Sequence, residues 1–291
     1  MAEKLRIGFI GAGRVATALA RALSSAGEDV VAVASRSRAA AQACAAEVNG
    51  CVALDAPQQV VDRSDLVFLT VPDDAIAPMA ASLRWREGQS VVHCSGATEL
   101  SALAPARMHG ARTGSFHPLL MFADPQIAAR ALPRSAIALE AEAPLLGILE
   151  ALVANLGAQS LRVPAGARAA YHAASHYGAA FLCVLLDQGM KILHESGMSG
   201  DAPREALLSL ARGTLEAMEH ADPAQAMAGA YARGDTGTAR RHLQVLGAMD
   251  PEIAALYREL AARSVELALA ARRIDAEKAN TLRALLNKPD S

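Results

Sequence analysis

The chain has 291 residues, 52% hydrophobic and 20% charged, enough to bury substantial cores; at roughly 150 residues per domain it has room for two. Its 28 basic and 30 acidic side chains give a formal net charge of −2 with no basic tract, which argues against nucleic-acid binding. Cys44, Cys51, Cys94 and Cys183 make no CxxC pair or disulfide framework, Met1–Arg6 is too short and polar for a signal peptide, and charged or His residues interrupt every apolar stretch before 18 residues. The expectation is a cytoplasmic chain with no membrane partner.

Leu5–Ile10 is a short apolar run ending at a glycine and predicts a buried strand. Val15–Ala26 follows as an alanine-rich helix stopped by Gly27, and Val30–Ala34 as the next strand. Ala39–Val48 predicts a helix, and Leu66–Val71 and Ser90–Cys94 predict strands halted by Pro72 and Gly96. Arg112–Phe116 and Ala136–Leu139 are further strand candidates. Strands alternating with helices imply βαβ units and a parallel sheet. Beyond Val163–Pro164 only helices are predicted: Ala165–Leu193, Pro203–His220, a short one opened by Asp222-Pro223, Thr238–Leu246, Pro251–Arg272 and Ala276–Leu286, with Asp250 and Asp275 as caps. The fold class is therefore α/β: a doubly wound parallel sheet over residues 1–164, followed by an all-α domain over 165–291.

Gly11-Ala12-Gly13-Arg14-Val15-Ala16 reads GxGxxA. Between a predicted strand and a predicted helix it forms the dinucleotide fingerprint of a Rossmann domain. Gly11 permits the tight turn, Gly13 admits a diphosphate close to the backbone, and Ala16 keeps the helix near the sheet. A Rossmann-like domain that binds no nucleotide would keep the same turn. After the second strand, an NAD site places an acid on the ribose hydroxyls. Here Ser35-Arg36-Ser37-Arg38 stands instead, offering hydroxyls and guanidinium groups suited to a 2′-phosphate. The expected cofactor is NADP(H), held by Gly11, Ala12, Gly13, Arg14, Val15, Ser35, Arg36 and Ser37. Val71, Pro72 and Ser95 join them from turns at the carboxyl ends of later strands.

These motifs resemble the superfamily of 6-phosphogluconate dehydrogenases, β-hydroxyacid dehydrogenases and pyrroline-5-carboxylate reductases. GAGRVA, the SRS turn, TVPD, HCSGA, the FHPL stretch and ARGDTGTARRHL at Ala232–Leu243 are more similar still to the bacterial Rossmann-like proteins with a DUF2520 helical domain. That group carries the label of an F420-dependent type of NADP oxidoreductase. The resemblance implies an oxidoreductase with a small-molecule substrate in an interdomain cleft and a homodimer paired through the helical domain. In the β-hydroxyacid dehydrogenases the first helix of the second domain carries a catalytic Lys and an Asn four residues apart. This chain departs from that pattern, placing His172 and His176 at the i, i+4 spacing.

Imidazole can donate or accept a proton near neutral pH, so the candidate catalytic residues are His172, His117 and His176, with Tyr171 and Ser175 as neighbouring alternatives. Packed histidines satisfied by local hydrogen bonds, or a turn histidine set by Pro118, would give the same sequence. No HExxH or third ligand accompanies them, so no metal is expected. Ser95, Ser115, Arg233 and Thr236 are the candidate substrate-binding residues; Thr236 or Thr238 could equally cap a helix beside an Arg–Asp pair. Two functions follow. The first is hydride transfer between NADPH and a small carbonyl or imine, with His117 and His172 facing one cleft from opposite domains. The second is a non-catalytic NADPH-binding or sensor protein on the same fold.

Overall fold

The computed structural model describes residues 4–287, which divide into two compact units at Ala179/Ala180. In the first, β1 (Arg6–Ile10), α1 (Arg14–Ser25), β2 (Asp29–Ala34), α2 (Arg38–Ala46), β3 (Val52–Leu54), α3 (Pro57–Arg63), β4 (Leu66–Leu69), α4 (Asp73–Ser82) and β5 (Ser90–His93) alternate strictly. They continue into α5 (Ala104–Met108), β6 (Arg112–Pro118), α6 (Pro125–Ala131), β7 (Ala136–Ala141), α7 (Leu145–Asn155), β8 (Gln159–Arg162) and α8 (Arg168–Gly178). The strands make one eight-stranded sheet in the order β3-β2-β1-β4-β5-β6-β7-β8. The first six run parallel in the doubly wound Rossmann arrangement. Beyond that expected parallel sheet, β7 pairs antiparallel with β6 and carries β8 parallel to itself.

The apolar runs predicted strands well because β4 and β5 are buried at every position and β1 at all but its first. One face packs Phe9, Phe68, Val92 and Phe116 against Leu19 and Leu23 of α1 and Leu149 and Val153 of α7. Phe9 stacks on Phe68 at 5.0 Å, and Phe116 meets Phe68 edge-on at 5.3 Å. The other face packs Ile10, Val67, Leu69 and Val91 against α3, α4 and Leu103. On that second face, beyond Val91 in the alternation, lie His93 of β5 and, in register with it, Ser115 of β6, which pairs in turn with Glu140 of β7. The edge strands β3 and β8 escaped prediction. β3 is three residues long, and every residue of β8 is exposed, so neither carries a buried apolar pattern.

The second unit is all helical: α9 (Ala180–Glu195), α10 (Ala202–His220), α11 (Pro223–Ala226), α12 (Ala230–Arg233), α13 (Thr236–Met249), α14 (Pro251–Ala270) and α15 (Ala276–Leu286). Its core joins Leu243 of α13, Ala261 and Val265 of α14, and Leu282 and Leu286 of α15. Asp250 and Asp275 cap α14 and α15 through their side chains, as the sequence suggests. The cap of α13 is Asp235, not a threonine. Asp235 accepts from the Thr238 N–H and hydroxyl at 2.9 and 2.7 Å, which holds its carboxyl below the usual range.

The long helix expected at Ala165–Leu193 is two helices. Gly166 turns with φ +75°, so α8 begins only at Arg168, and the chain breaks at Ala179 (φ −128°, ψ −93°), just after Gly178. The compact first unit therefore ends fifteen residues after the expected boundary at 164/165, because α8 is fastened to the sheet by Arg168.

Candidate active site

The glycine turn lies at the point where the sheet reverses direction, between β1 with β2 on one side and β4 on the other. Gly11 has φ +104°, and a methyl group there would run into the Thr70 carbonyl, so only glycine fits. The Gly11 N–H donates to the Ala34 carbonyl at 2.8 Å, and the Thr70 hydroxyl donates to the Gly11 carbonyl at 2.9 Å. At Gly13 nothing lies within 4 Å of an added Cβ, so the turn is open on that side. Gly13 is also the N-cap of α1 without a side-chain cap, and the first turn holds no acid. That leaves free N–H groups and the positive dipole end facing outward, the arrangement that holds a phosphate.

Beyond β2, the four candidates separate. Arg38 is paired with Asp55 at 2.5 Å, and Ser37 caps α2 by accepting from Ala40 N–H at 3.2 Å. Arg36 is exposed and has no hydrogen-bond or ion-pair partner among the described residues. Ser35 is half-buried at the strand end. Val71 is half-buried and Pro72 exposed, where the chain leaves β4 for α4.

The second constellation sits at the carboxyl ends of β5 and β6. Helix α8 lies over them with an unusual face. Its buried and half-buried positions are Arg168, Tyr171, His172, Ser175 and His176, while Ala169, Ala170, Ala173 and Ala174 point to solvent. An amphipathic helix normally turns its apolar stripe inward; here the inward stripe at i, i+3, i+4, i+7, i+8 is wholly polar.

Tyr171 and His117 share a hydrogen bond of 2.6 Å between Oη and Nδ1. The His117 and His172 rings are 6.1 Å apart, and His172 and His176 are 4.7 Å apart, each pair edge-on. The His172 ring makes no hydrogen bond among the described residues. The His176 Nδ1–H donates to the His172 carbonyl at 2.9 Å, one turn back along the helix. Gly96 fits against both rings: an added Cβ would lie 2.5 Å from His172 Cδ2 and 2.8 Å from His117 Cε1. His117 and His172 thus meet, both within the first compact unit, on β6 and α8.

Under this pair lies a group that the sequence reading missed. Arg168 is fully buried. Its Nη1 donates to Ser115 Oγ at 2.6 Å and to Glu140 Oε2 at 3.1 Å, and its Nη2 donates to the Ser95 carbonyl. Ser115 is likewise fully buried and holds Arg168, so its hydroxyl is not open to a substrate. The Ser95 hydroxyl accepts from Ala97 and Thr98 N–H at 3.2 and 3.0 Å, forming the turn over β5.

Burial and the Arg168 charge keep His117 and His93 neutral. Burial, the Arg168 charge and the neighbouring His172 pull His117 down to about 4, against a weaker opposing pull from Asp73. Burial, Arg168 and His117 pull His93 down to about 3, and its two ring nitrogens are buried without a hydrogen-bond partner among the described residues. Burial pushes Tyr171 up to about 12, with Arg168 opposing. At neutral pH the phenol and both imidazoles are uncharged. Among the described residues no group of three or more His, Cys, Asp or Glu is placed to hold a metal ion. Arg233 (exposed) and Thr236 (half-buried) lie in the second unit, at the end of α12 and the start of α13.

Residues 1–118 match the Rossmann-like domain, and residues 135–264 match a domain of unknown function, DUF2520. The chain thus carries a Rossmann-like domain and a DUF2520 domain. The DUF2520 match begins in the sheet, taking in β7, β8 and α8 as well as the helices beyond. The fold is shared with TM1727 of Thermotoga maritima (TM-score 0.73, 22% identity, 91% of this chain and 99% of that one). It is shared equally with BF3122 of Bacteroides fragilis, described as an NADP oxidoreductase (TM-score 0.72, 23% identity, 90% and 98% covered). A more distant likeness is the reductive aminase of Aspergillus terreus in complex with NADPH and ethyl-5-oxohexanoate (TM-score 0.61, 18% identity, 98% and 93% covered). No curated protein matches the sequence.

Proposed function

We propose that this chain is an NADP(H)-dependent oxidoreductase that moves hydride between NADPH and a small carbonyl or imine compound. The observation that carries the reading is the polar inward face of α8, which sets Tyr171 and His172 against His117 at the same end of the sheet as an open glycine turn three strands away. Packing alone would have selected apolar residues at those positions. The BF3122 and reductive aminase likenesses agree with a nicotinamide cofactor.

The residues present fit that cofactor. Gly11, Ala12, Gly13, Arg14 and Val15 would hold the diphosphate at the start of α1. Ser35, Arg36 and Ser37 would hold the 2′-phosphate, with Arg36 as the uncommitted cation. Val71, Pro72 and the Ser95 turn would flank the ligand on its way to β6. From β1 to β6 is three strand spacings, roughly 14 Å, so a ligand anchored at Gly13 must be elongated to reach His117. When bound, NADPH supplies the hydride.

The protein's own task is the proton. With His117 protonated at Nδ1, that N–H donates to Tyr171 Oη and leaves the phenol hydrogen free to face a substrate heteroatom. As negative charge develops there, Tyr171 donates its proton, and the Nδ1–H of His117 stabilises the phenolate left behind. The unpartnered His172 ring orients the substrate from the other side. His176, which bonds back to its own helix, supports His172.

The test is reduction of a panel of small ketones, keto acids and cyclic imines, followed by NADPH oxidation. Tyr171→Phe and His172→Ala are expected to lower kcat by ~10²–10⁴-fold with cofactor affinity retained. NADPH binding without turnover of any carbonyl or imine would favour the non-catalytic sensor instead. A homodimer through the second unit belongs to the same proposal, because α9 and α10 expose Val184, Leu185, Leu210 and Leu215. A monomeric mass by light scattering at micromolar concentration would exclude it.

A further inference from the structure

We infer that Arg168 is the positioning residue of the proton-handling pair: it seats the first turn of α8 on β6, β7 and the turn after β5 at once, so that Tyr171 and His172 meet His117. The inference rests on the proton-handling role given above to Tyr171 and His117.

Arg168 is the only buried residue of α8. A helix covering a sheet is ordinarily fixed by several apolar side chains, which leave it some freedom to slide or rotate. Here one guanidinium does the fixing through directional bonds. It reaches the Ser95 carbonyl beyond β5, Ser115 on β6 and Glu140 on β7. The planar fork lets one side chain address several acceptors with fixed angles, which an ammonium cannot reproduce. Taking such a charge out of water is costly, and an apolar residue of similar volume would often hold a fold as well or better. The arginine is therefore better explained by where it sets the helix than by the stability it adds. Tyr171 and His172, at i+3 and i+4, lie one turn further along the same face, so fixing Arg168 fixes the rotation of α8 that presents them.

Arg168 also places a permanent positive charge beside the histidines. The groups that face His117 are Arg168, Tyr171 and His172 from α8, His93 from β5, and Asp73 from the start of α4; Glu140 of β7 reaches it through Arg168. Of these, Arg168 and the neighbouring histidine oppose protonation of His117, and Asp73 favours it. Burial does most to keep the His117 imidazole neutral, and the side chain that aims the pair adds to it.

The decisive comparison is wild type against the double variant Arg168→Met/Glu140→Gln, which removes both partners so that no buried carboxylate is stranded, and against Arg168→Lys. Each protein is measured by thermal melting, NADPH calorimetry, histidine ring NMR across pH 4–8 and turnover. The double variant is expected to melt cooperatively and to bind NADPH within about threefold of wild type. Its His117 ring should titrate at a higher pH, and its kcat should fall on the order of 10²-fold, the cost of a misplaced reacting group. Arg168→Lys, which keeps the charge but not the fork, should leave the His117 titration near wild type and still lose turnover. If the double variant does not fold, Arg168→Lys decides alone: wild-type kcat there overturns the positioning role. Unchanged His117 titration and kcat in a folded double variant also overturn it. The NMR arm needs no substrate: displaced His117 and His172 ring signals in Arg168→Lys are the expected mark of lost positioning, unmoved ring signals in both variants would overturn it, and a failure to find any turnover in wild type would count only against the proposed reaction.

Discussion

Gly96→Ala tests the site at its tightest point. The added Cβ would lie 2.5 Å from His172 Cδ2, 2.8 Å from His117 Cε1 and 3.0 Å from His117 Nε2, whereas ordinary contact begins near 3.4 Å. Neither ring can swing away cheaply. His117 is tied to Tyr171, and the helix bearing His172 is pinned through Arg168. The rings must therefore part, by something between half and one ångström. Overpacking of this kind costs about 1–3 kcal/mol. For a unit of this size that lowers the melting temperature by roughly 3–10 °C. A misplacement of about 1 Å at a reacting group costs on the order of 10²-fold in rate. Calorimetric melting, NADPH titration and steady-state kinetics on the best substrate of the panel would measure the three effects separately. The expected pattern is a lower melting temperature, near-normal NADPH affinity and a strongly reduced kcat. A Gly96→Ala protein that melts with wild type and shows unchanged histidine ring signals would refute the packing of the two histidines against this glycine.

Three further outcomes follow from the same geometry. Gly11→Ala should lose NADPH binding and at least about 2 kcal/mol of stability, since it forces a positive φ on alanine and collides with Thr70; isothermal titration with a urea melt checks both. Arg36→Ala should weaken NADPH by about 10–100-fold while leaving NADH unchanged, because a hydrogen bond to a charged group is worth about 1.5–3 kcal/mol; equal losses for both cofactors would remove Arg36 from the 2′-phosphate site. The pH dependence of stability has a definite sign. His117 and His93 are held neutral in the folded state, down to about 4 and about 3. In the unfolded chain they protonate near 6.5, so between about pH 6.5 and 4 the unfolded state binds more protons and stability falls as pH falls. The slope approaches about 1.4 kcal/mol per pH unit for each proton taken up, and urea midpoints at pH 7, 6 and 5 should decline accordingly, less steeply in His117→Gln.

The strands and the glycine turn were legible in the sequence because their cause is local. Strands buried on both faces must be apolar throughout, so Leu66–Leu69 and Ser90–His93 announce themselves. The turn at Gly11 needs a residue without a Cβ wherever it occurs. The missing acid after β2 and the presence of Arg36 are equally a matter of one short segment, and so are the aspartate caps of α14 and α15. His117, Tyr171 and His172 could be named as candidates from the sequence, since imidazole and phenol in those positions suit proton transfer. What the sequence could not decide was which groups meet. The antiparallel turn of β7 brings Glu140 beside Ser115, and the break at Ala179 leaves α8 with the sheet rather than with the helices that follow. Those two events put Arg168, a lone cation in an alanine-rich stretch, within reach of Ser95, Ser115 and Glu140, residues 28 to 73 positions away. Hydrogen bonds and charge shifts of this kind depend on distance in space and on exclusion of water. Both are set only when the sheet and the helix have closed over them.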